Sequence, residues 1–187
     1  MARRRAPRRL PEAPDDAQVQ AIIARAEASG PRDLAAVLLM AYAGLRVSEV
    51  AKLRWDDVEG GVIRVRMGKG RKDRLVPAHP RVAEALLALR KMSLLRSAYV
   101  FPSPQDPRRP ITTRALQYLV ERLGREAGVP RRLLHPHALR HWFATTALRR
   151  SGNLEAVRRL LGHSSIQTTT VYTHLVLDDL TGIVSRL

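Results

Sequence analysis

One stretch of the chain breaks the pattern of everything around it. From Val62 the residues Val-Ile-Arg-Val-Arg alternate apolar and basic, and after Gly68-Lys-Gly-Arg-Lys-Asp73 the run Arg74-Leu-Val-Pro77 resumes. Strict alternation is the period of an extended strand, and a glycine-rich basic turn between two such runs is a hairpin signature. On either side, apolar residues recur at helical spacing. The expected fold class is therefore mainly α (α+β), helical with a small antiparallel β-sheet or hairpin. A chain of 187 residues supports one domain with a sizeable core and not two well-developed ones.

The helices can be placed from their stop signals. Pro14-Asp15-Asp16 starts the first, with Val19, Ile22, Ile23 and Ala26 on one face and Ser29-Gly30 closing it. A second is expected from about Arg32 to Ala43, ended by Gly44, and a short third from Val47 to Leu53. After the hairpin, a helix should run from Pro80 to about Lys91, and a Pro-, Ser- and Asp-rich loop from Pro102 to Pro110. Thr112 is placed to cap a helix ending near Gly128. Three more are expected over Pro136–Arg150, Leu154–Leu161 and Ser165–Leu175, with Ser151-Gly152 and Gly162 as breaks. Met1–Leu10, with five arginines and a proline, reads as a flexible basic arm, either contacting DNA or simply solvated.

Charge then narrows the partner. The 33 Lys and Arg against 17 Asp and Glu give a formal net charge of +16, which favours a polyanion, with nucleic acid first. Zero cysteines exclude disulfides, thiolate zinc sites and cysteine nucleophiles. The longest apolar run, Leu34–Leu45, is shorter than the ~18 residues of a membrane span, and the N-terminus lacks the apolar stretch of a secretory signal. A cytoplasmic, membrane-free location is the expectation.

Chemistry concentrates in four short segments. In His135-Pro-His-Ala-Leu-Arg-His141, His137 and Arg140 lie three apart at a helix start, where free N–H groups favour a phosphate. The same segment alone would also read as a basic surface patch. Arg46 follows Gly44-Leu45 and stands three residues ahead of Glu49, close enough to pair with it. The turn Gly68-Lys69-Gly70-Arg71-Lys72 carries a cation between glycines without the spacing of a nucleotide-phosphate loop. Finally, Leu161-Gly-His-Ser-Ser-Ile-Gln-Thr-Thr-Thr-Val-Tyr-Thr-His174 places Tyr172 on a polar stripe, where a phenol serves no core.

Taken in order, GLRVSE, GKGRKDR, HPHALRH and LLGHSSIQTTTVYTH resemble the catalytic domain of the tyrosine recombinases, or phage-type integrases, and most of all their Xer-like branch. The resemblance runs from about Leu10 to Thr181. It implies that Arg46 and Arg140 clamp a scissile phosphate, that His137 and His163 complete the pocket, that Lys69 reaches in from the hairpin turn, and that Tyr172 is the nucleophile. Glu49 is expected to orient Arg46. Arg71, Lys72, Arg74 and His141 are candidates for DNA-backbone contact, with His141 and Lys72 equally open to a packing role.

The residue chemistry agrees with this. Charge grows on the non-bridging oxygens of a phosphodiester under in-line attack, and planar arginine forks match it. A phenol of pKa about 10 needs cationic surroundings and a proton acceptor, for which His137 is the choice. Lys69 is the candidate donor to the leaving 5′-oxygen. No metal, nucleotide or other cofactor is required.

The expected activity is therefore site-specific strand exchange through a 3′-phosphotyrosine on double-stranded DNA, in a homo- or hetero-tetramer on synapsed sites. A type IB topoisomerase-like nicking-closing activity is one alternative. A non-catalytic DNA-binding module, with Leu154–Leu175 as a helix-turn-helix, is another. The resemblance also implies a helical core-binding domain ahead of this one, where the sequence has only Met1–Leu10. The chain is then expected to be either the catalytic domain of a longer protein or a minimal recombinase. The amphipathic tail Leu175–Leu187 would dock on its own domain or on a neighbouring subunit.

Overall fold

The computed structural model describes residues 13–66, 73–93 and 97–162. Helix α1 (Asp16–Ser29) starts where the Asp15 carboxylate accepts the N–H of Gln18, whose side chain in turn accepts the N–H of Asp15. Its buried face is Val19, Ile22, Ile23 and Ala26, as their spacing predicts.

The next helix, α2 (Pro31–Ala41), is buried at every position from Ala35 to Ala41. A helix that is apolar on all sides has to be surrounded, and α2 packs against α1, α4 (Pro80–Met92) and α6 (Pro136–Ser151), with further contacts to α3 (Val47–Lys52) and α5 (Thr113–Glu126). It is the axis on which the rest of the domain is assembled.

Between α3 and α4 lie a 3₁₀ turn at Trp55–Asp57 and three short strands, β1 (Val58–Glu59), β2 (Val62–Val65) and β3 (Arg74–Pro77), antiparallel in the order β1-β2-β3. The hairpin is where alternation placed it, with Val62 opposite Pro77 and Val65 opposite Arg74. Ile63, Val65 and Val76 face the core. Strand β1 was not foreseen, because two residues carry no readable period. The turn at Gly60-Gly61, where both residues have positive φ, folds it onto β2.

The loop from Pro102 to Pro110 is pinned by a bridge between those two prolines. Thr112 caps α5 through its hydroxyl, as expected, accepting the N–H of Ala115. After a second 3₁₀ turn at Arg131–Leu133 come α6 and α7 (Leu154–Leu161), whose bounds match the expected ones to within a residue. The expected arm at Met1–Leu10 and the expected helix over Ser165–Leu175 lie outside the described residues. No described helix is long and apolar enough to cross a membrane.

Candidate active site

The site begins at the turn that leaves α2. Gly44 adopts φ +62°, in the left-handed region, and a Cβ there would collide with the ring of Phe143 on α6. Glycine therefore lets the two segments meet closely enough for the Gly44 carbonyl to accept from Nη1 of Arg140. Two residues on, Arg46 caps α3. Glu49, at the third position of that helix, folds back to accept the Arg46 backbone N–H at 2.7 Å through one carboxylate oxygen and the Arg46 guanidinium at 3.0 Å through the other. The expected pairing of Arg46 with Glu49 is thus present, and it ties the side chain to the start of its own helix.

Glu49 does more than the sequence suggests. The guanidinium of Arg74, at the first position of β3, forks onto both of its oxygens at 2.8 Å each, and Nη1 of Arg140 lies 3.8 Å away. One carboxylate therefore gathers three arginines from α3, β3 and α6. Burial alone would raise the pKa of Glu49, but the hydrogen bond and charge of Arg74, the N–H of Arg46 and the charge of Arg140 outweigh it. The net shift is downward.

The same arginines bind the last carbonyls of α7, which lack partners within the helix. Arg74 donates from Nε to the Leu160 carbonyl at 2.8 Å, Arg140 from Nη2 to Leu161 at 2.7 Å, and Arg46 reaches Leu161 at 3.5 Å. These contacts place cations at the negative end of the helix dipole. Gly162 then ends α7 with φ +63°, and a Cβ there would come within 3.0 Å of the Arg74 side chain.

His137 lies in the first turn of α6, one helical turn before Arg140, and is exposed. Partial desolvation, then the charges of Arg140, His135 and Arg46, hold its pKa below the ordinary 6.5. The shift favours the neutral imidazole, the form with a nitrogen free to accept a proton. His135 caps the helix by accepting the N–H of Ala138 at its Nδ1.

Of the sequence candidates, the structure brings together Arg46, Glu49 and Arg140, with His137 alongside. Lys69, Arg71, Lys72, His163 and Tyr172 lie outside the described residues. One expectation needs correction. Arg74 was a candidate for DNA-backbone contact, but it is 9% exposed and its guanidinium is held by Glu49 and Leu160, so it belongs to the framework of the site. For His141, which was open to DNA contact or packing, the 6% exposure on α6 favours packing.

Sequence reasoning also passed over Lys52 and Arg64, which are exposed, and Arg66, which pairs with Asp57 at 2.6 Å. They line an open cavity of about 290 Å³ together with Arg46, Ser48 and Glu49. The alternation that runs through β2 to Arg66, leaving Arg64 and Arg66 exposed, was the signal that could have found the two arginines.

Comparison with known proteins fits this geometry. The tyrosine recombinase XerA of Thermococcus kodakarensis is 38% identical over 177 residues, covering 93% of this chain and 62% of the relative. The tyrosine recombinase XerC of Actinobacillus pleuropneumoniae is 40% identical, covering 91% of this chain and 57% of the relative. The chain thus spans somewhat over half the length of these curated relatives.

Among solved structures, a crystal structure of XerA recombinase superposes with a TM-score of 0.81 at 33% identity, over 96% of this chain and 65% of that one. The site-specific recombinase XerH bound to its palindromic difH substrate gives 0.77 at 25% identity, over 95% of this chain and 53% of that one. The fold is that of a tyrosine-recombinase catalytic domain, and with residues 14–177 matching the family as a whole, this chain belongs to the phage integrase family.

Proposed function

We propose that this chain is the strand-transfer unit of a site-specific DNA recombinase or integrase, cleaving and rejoining DNA through a transient 3′-phosphotyrosine on Tyr172 without metal or ATP. The observation that carries the proposal is the convergence of Arg46 and Arg140, far apart in sequence, on one carboxylate and one helix end, with His137 one helical turn from Arg140. Preorganised donors of this kind are worth ~10²–10³ in rate apiece where charge develops on a phosphate. The relatives named above are recombinases, and the XerH structure contains a DNA substrate, which favours double-stranded DNA as the partner here. Among them nothing favours relaxation of supercoils or DNA binding without cleavage.

In the proposed step the Tyr172 hydroxyl attacks the phosphorus and its proton passes to His137. The bond to the 5′-oxygen breaks, and Lys69 supplies that oxygen's proton. Arg46 and Arg140, with His163, neutralise the phosphoryl oxygens. The phosphotyrosine keeps the energy of the broken bond, so a second 5′-hydroxyl can reverse the step. The exchange of two duplexes calls for a homo- or hetero-tetramer on synapsed sites, acting in the cytoplasm with the DNA.

The test is incubation with suicide DNA substrates, in which the cleaved strand loses its 5′ fragment, followed by a denaturing gel. A covalent adduct on wild type that disappears in Tyr172→Phe supports the reading. An adduct of equal yield in both proteins overturns it.

A further inference from the structure

The geometry points to Arg74 as a positioning residue for phosphoryl transfer: its guanidinium, forked onto Glu49 and bonded to the Leu160 carbonyl, locks Arg46 and the C-terminal end of α7 into a single frame. The inference rests on the function proposed above. It concerns a residue that touches neither DNA nor the reacting atoms.

Three observations carry it. The first is geometric completeness. Nη1, Nη2 and Nε of Arg74 are aimed at three acceptors on two different elements, at 2.8 Å each. A lysine could reach one of these acceptors but could not hold all three, because the fork is what matches a carboxylate.

The second is position in the chain. Arg74 opens β3 five residues after Lys69 in the sequence, while Leu160 stands three residues before His163. Glu49 is also the residue that orients Arg46. A single side chain therefore joins the roots of three segments, each of which supplies a proposed catalytic group.

The third is the inverted burial of β3. Arg74 is 9% exposed while its neighbour Leu75 is 62% exposed. A strand that turns its leucine outward and its arginine inward is not following hydrophobicity, and the Glu49 carboxylate supplies the reason. The close approach of Gly162 to the Arg74 side chain adds that a Cβ at that helix end would meet Arg74 at 3.0 Å and require its side chain to give way slightly.

A misplacement of about 1 Å at a remote support can cost roughly a hundredfold in rate without altering affinity. The experiment measures single-turnover adduct formation at saturating DNA, together with DNA affinity across a salt series, for wild type, Arg74→Lys and Arg74→Gln. The expected result is a rate at least roughly tenfold lower in Arg74→Lys and lower still in Arg74→Gln, with affinity within about twofold of wild type and an unchanged salt slope.

In parallel, the Nε–H of Arg74 is followed by nitrogen-15 NMR in the wild-type protein. It should exchange slowly with solvent, both free and on DNA. This reading requires no variant to fold.

Equal rates in folded Arg74→Lys and wild type overturn the proposal. So does a loss of affinity with a salt slope reduced by about one, which would make Arg74 a phosphate contact. A fast-exchanging Nε–H, or one that shifts to a new partner on DNA, overturns it as well. A wild type that forms no adduct at all refutes the strand-transfer reading, and the proposal falls with it; an active wild type matched by an active Arg74→Lys removes the proposal alone.

Discussion

In the proposed step Tyr172, Lys69 and His137 would each exchange something different with the DNA, and each difference can be measured. Replacing Tyr172 by Phe removes one hydroxyl and no phosphate-binding charge, so DNA affinity should stay within about twofold while the adduct is lost. Lys69→Ala should cleave poorly where the leaving group is an alkoxide and recover when the bridging oxygen is replaced by sulfur. A thiol of pKa roughly 8.5 departs without a proton donor. Rescue of Lys72→Ala instead would place the general acid on that neighbour. His137 accepts a proton only when neutral, and its pKa lies below 6.5 because desolvation and nearby cations disfavour the charged form. It is therefore neutral at pH 7 and charges only on acidification. The single-turnover rate should be level on this limb above pH 7 and fall with a midpoint below 6.5; a midpoint above that value would remove His137 as the acceptor.

At the level of elements, the α2–α3 turn and β3 carry the main structural tests. Gly44→Ala would place a side chain both in the left-handed region and against Phe143. Unfolding in urea should show a loss of about 2 kcal/mol or more, combining the backbone term with overpacking. Glu49→Ala removes the counter-charge of buried Arg74, and breaking such a pair costs about 3 kcal/mol. Because the Glu49 pKa is depressed, its contribution is complete above the unfolded pKa and disappears as the pH falls through the lower folded value, so the deficit of the variant should be constant from pH 5 to 8 and shrink in stronger acid.

Helices and hairpin were legible because glycine, proline and capping residues mark their ends, as at Gly30, Thr112 and Gly162. Arg74 was not, since a basic residue beside a glycine-rich turn reads as solvent-facing until one applies the hairpin's own alternation and sees that it shares a face with Val76. Strand β1 had too few residues to show a period.

For the molecule as a whole, the proposed function implies that the +16 charge, with the exposed Lys52 and Arg64 beside Arg46, serves to follow a phosphate backbone. Binding should weaken linearly in log salt, with a slope of about −0.9 for each phosphate neutralised, and a flat plot would argue against such a surface. Cleavage should survive excess chelator, because the proposed charge stabilisation comes from guanidiniums; inhibition by EDTA with restoration by magnesium would overturn that mechanism.

The anchoring of α7 has a bearing on how this protein tolerates change over generations. Arg74 and Arg140 grip Leu160 and Leu161 by their carbonyl oxygens, which every amino acid possesses. Drift at these two positions is therefore restrained by core packing alone, chiefly at fully buried Leu161. A library of variants scored for activity should show Arg74 and Arg140 as intolerant while their acceptors accept other apolar residues. No compensating pair of substitutions would link the two ends of either contact.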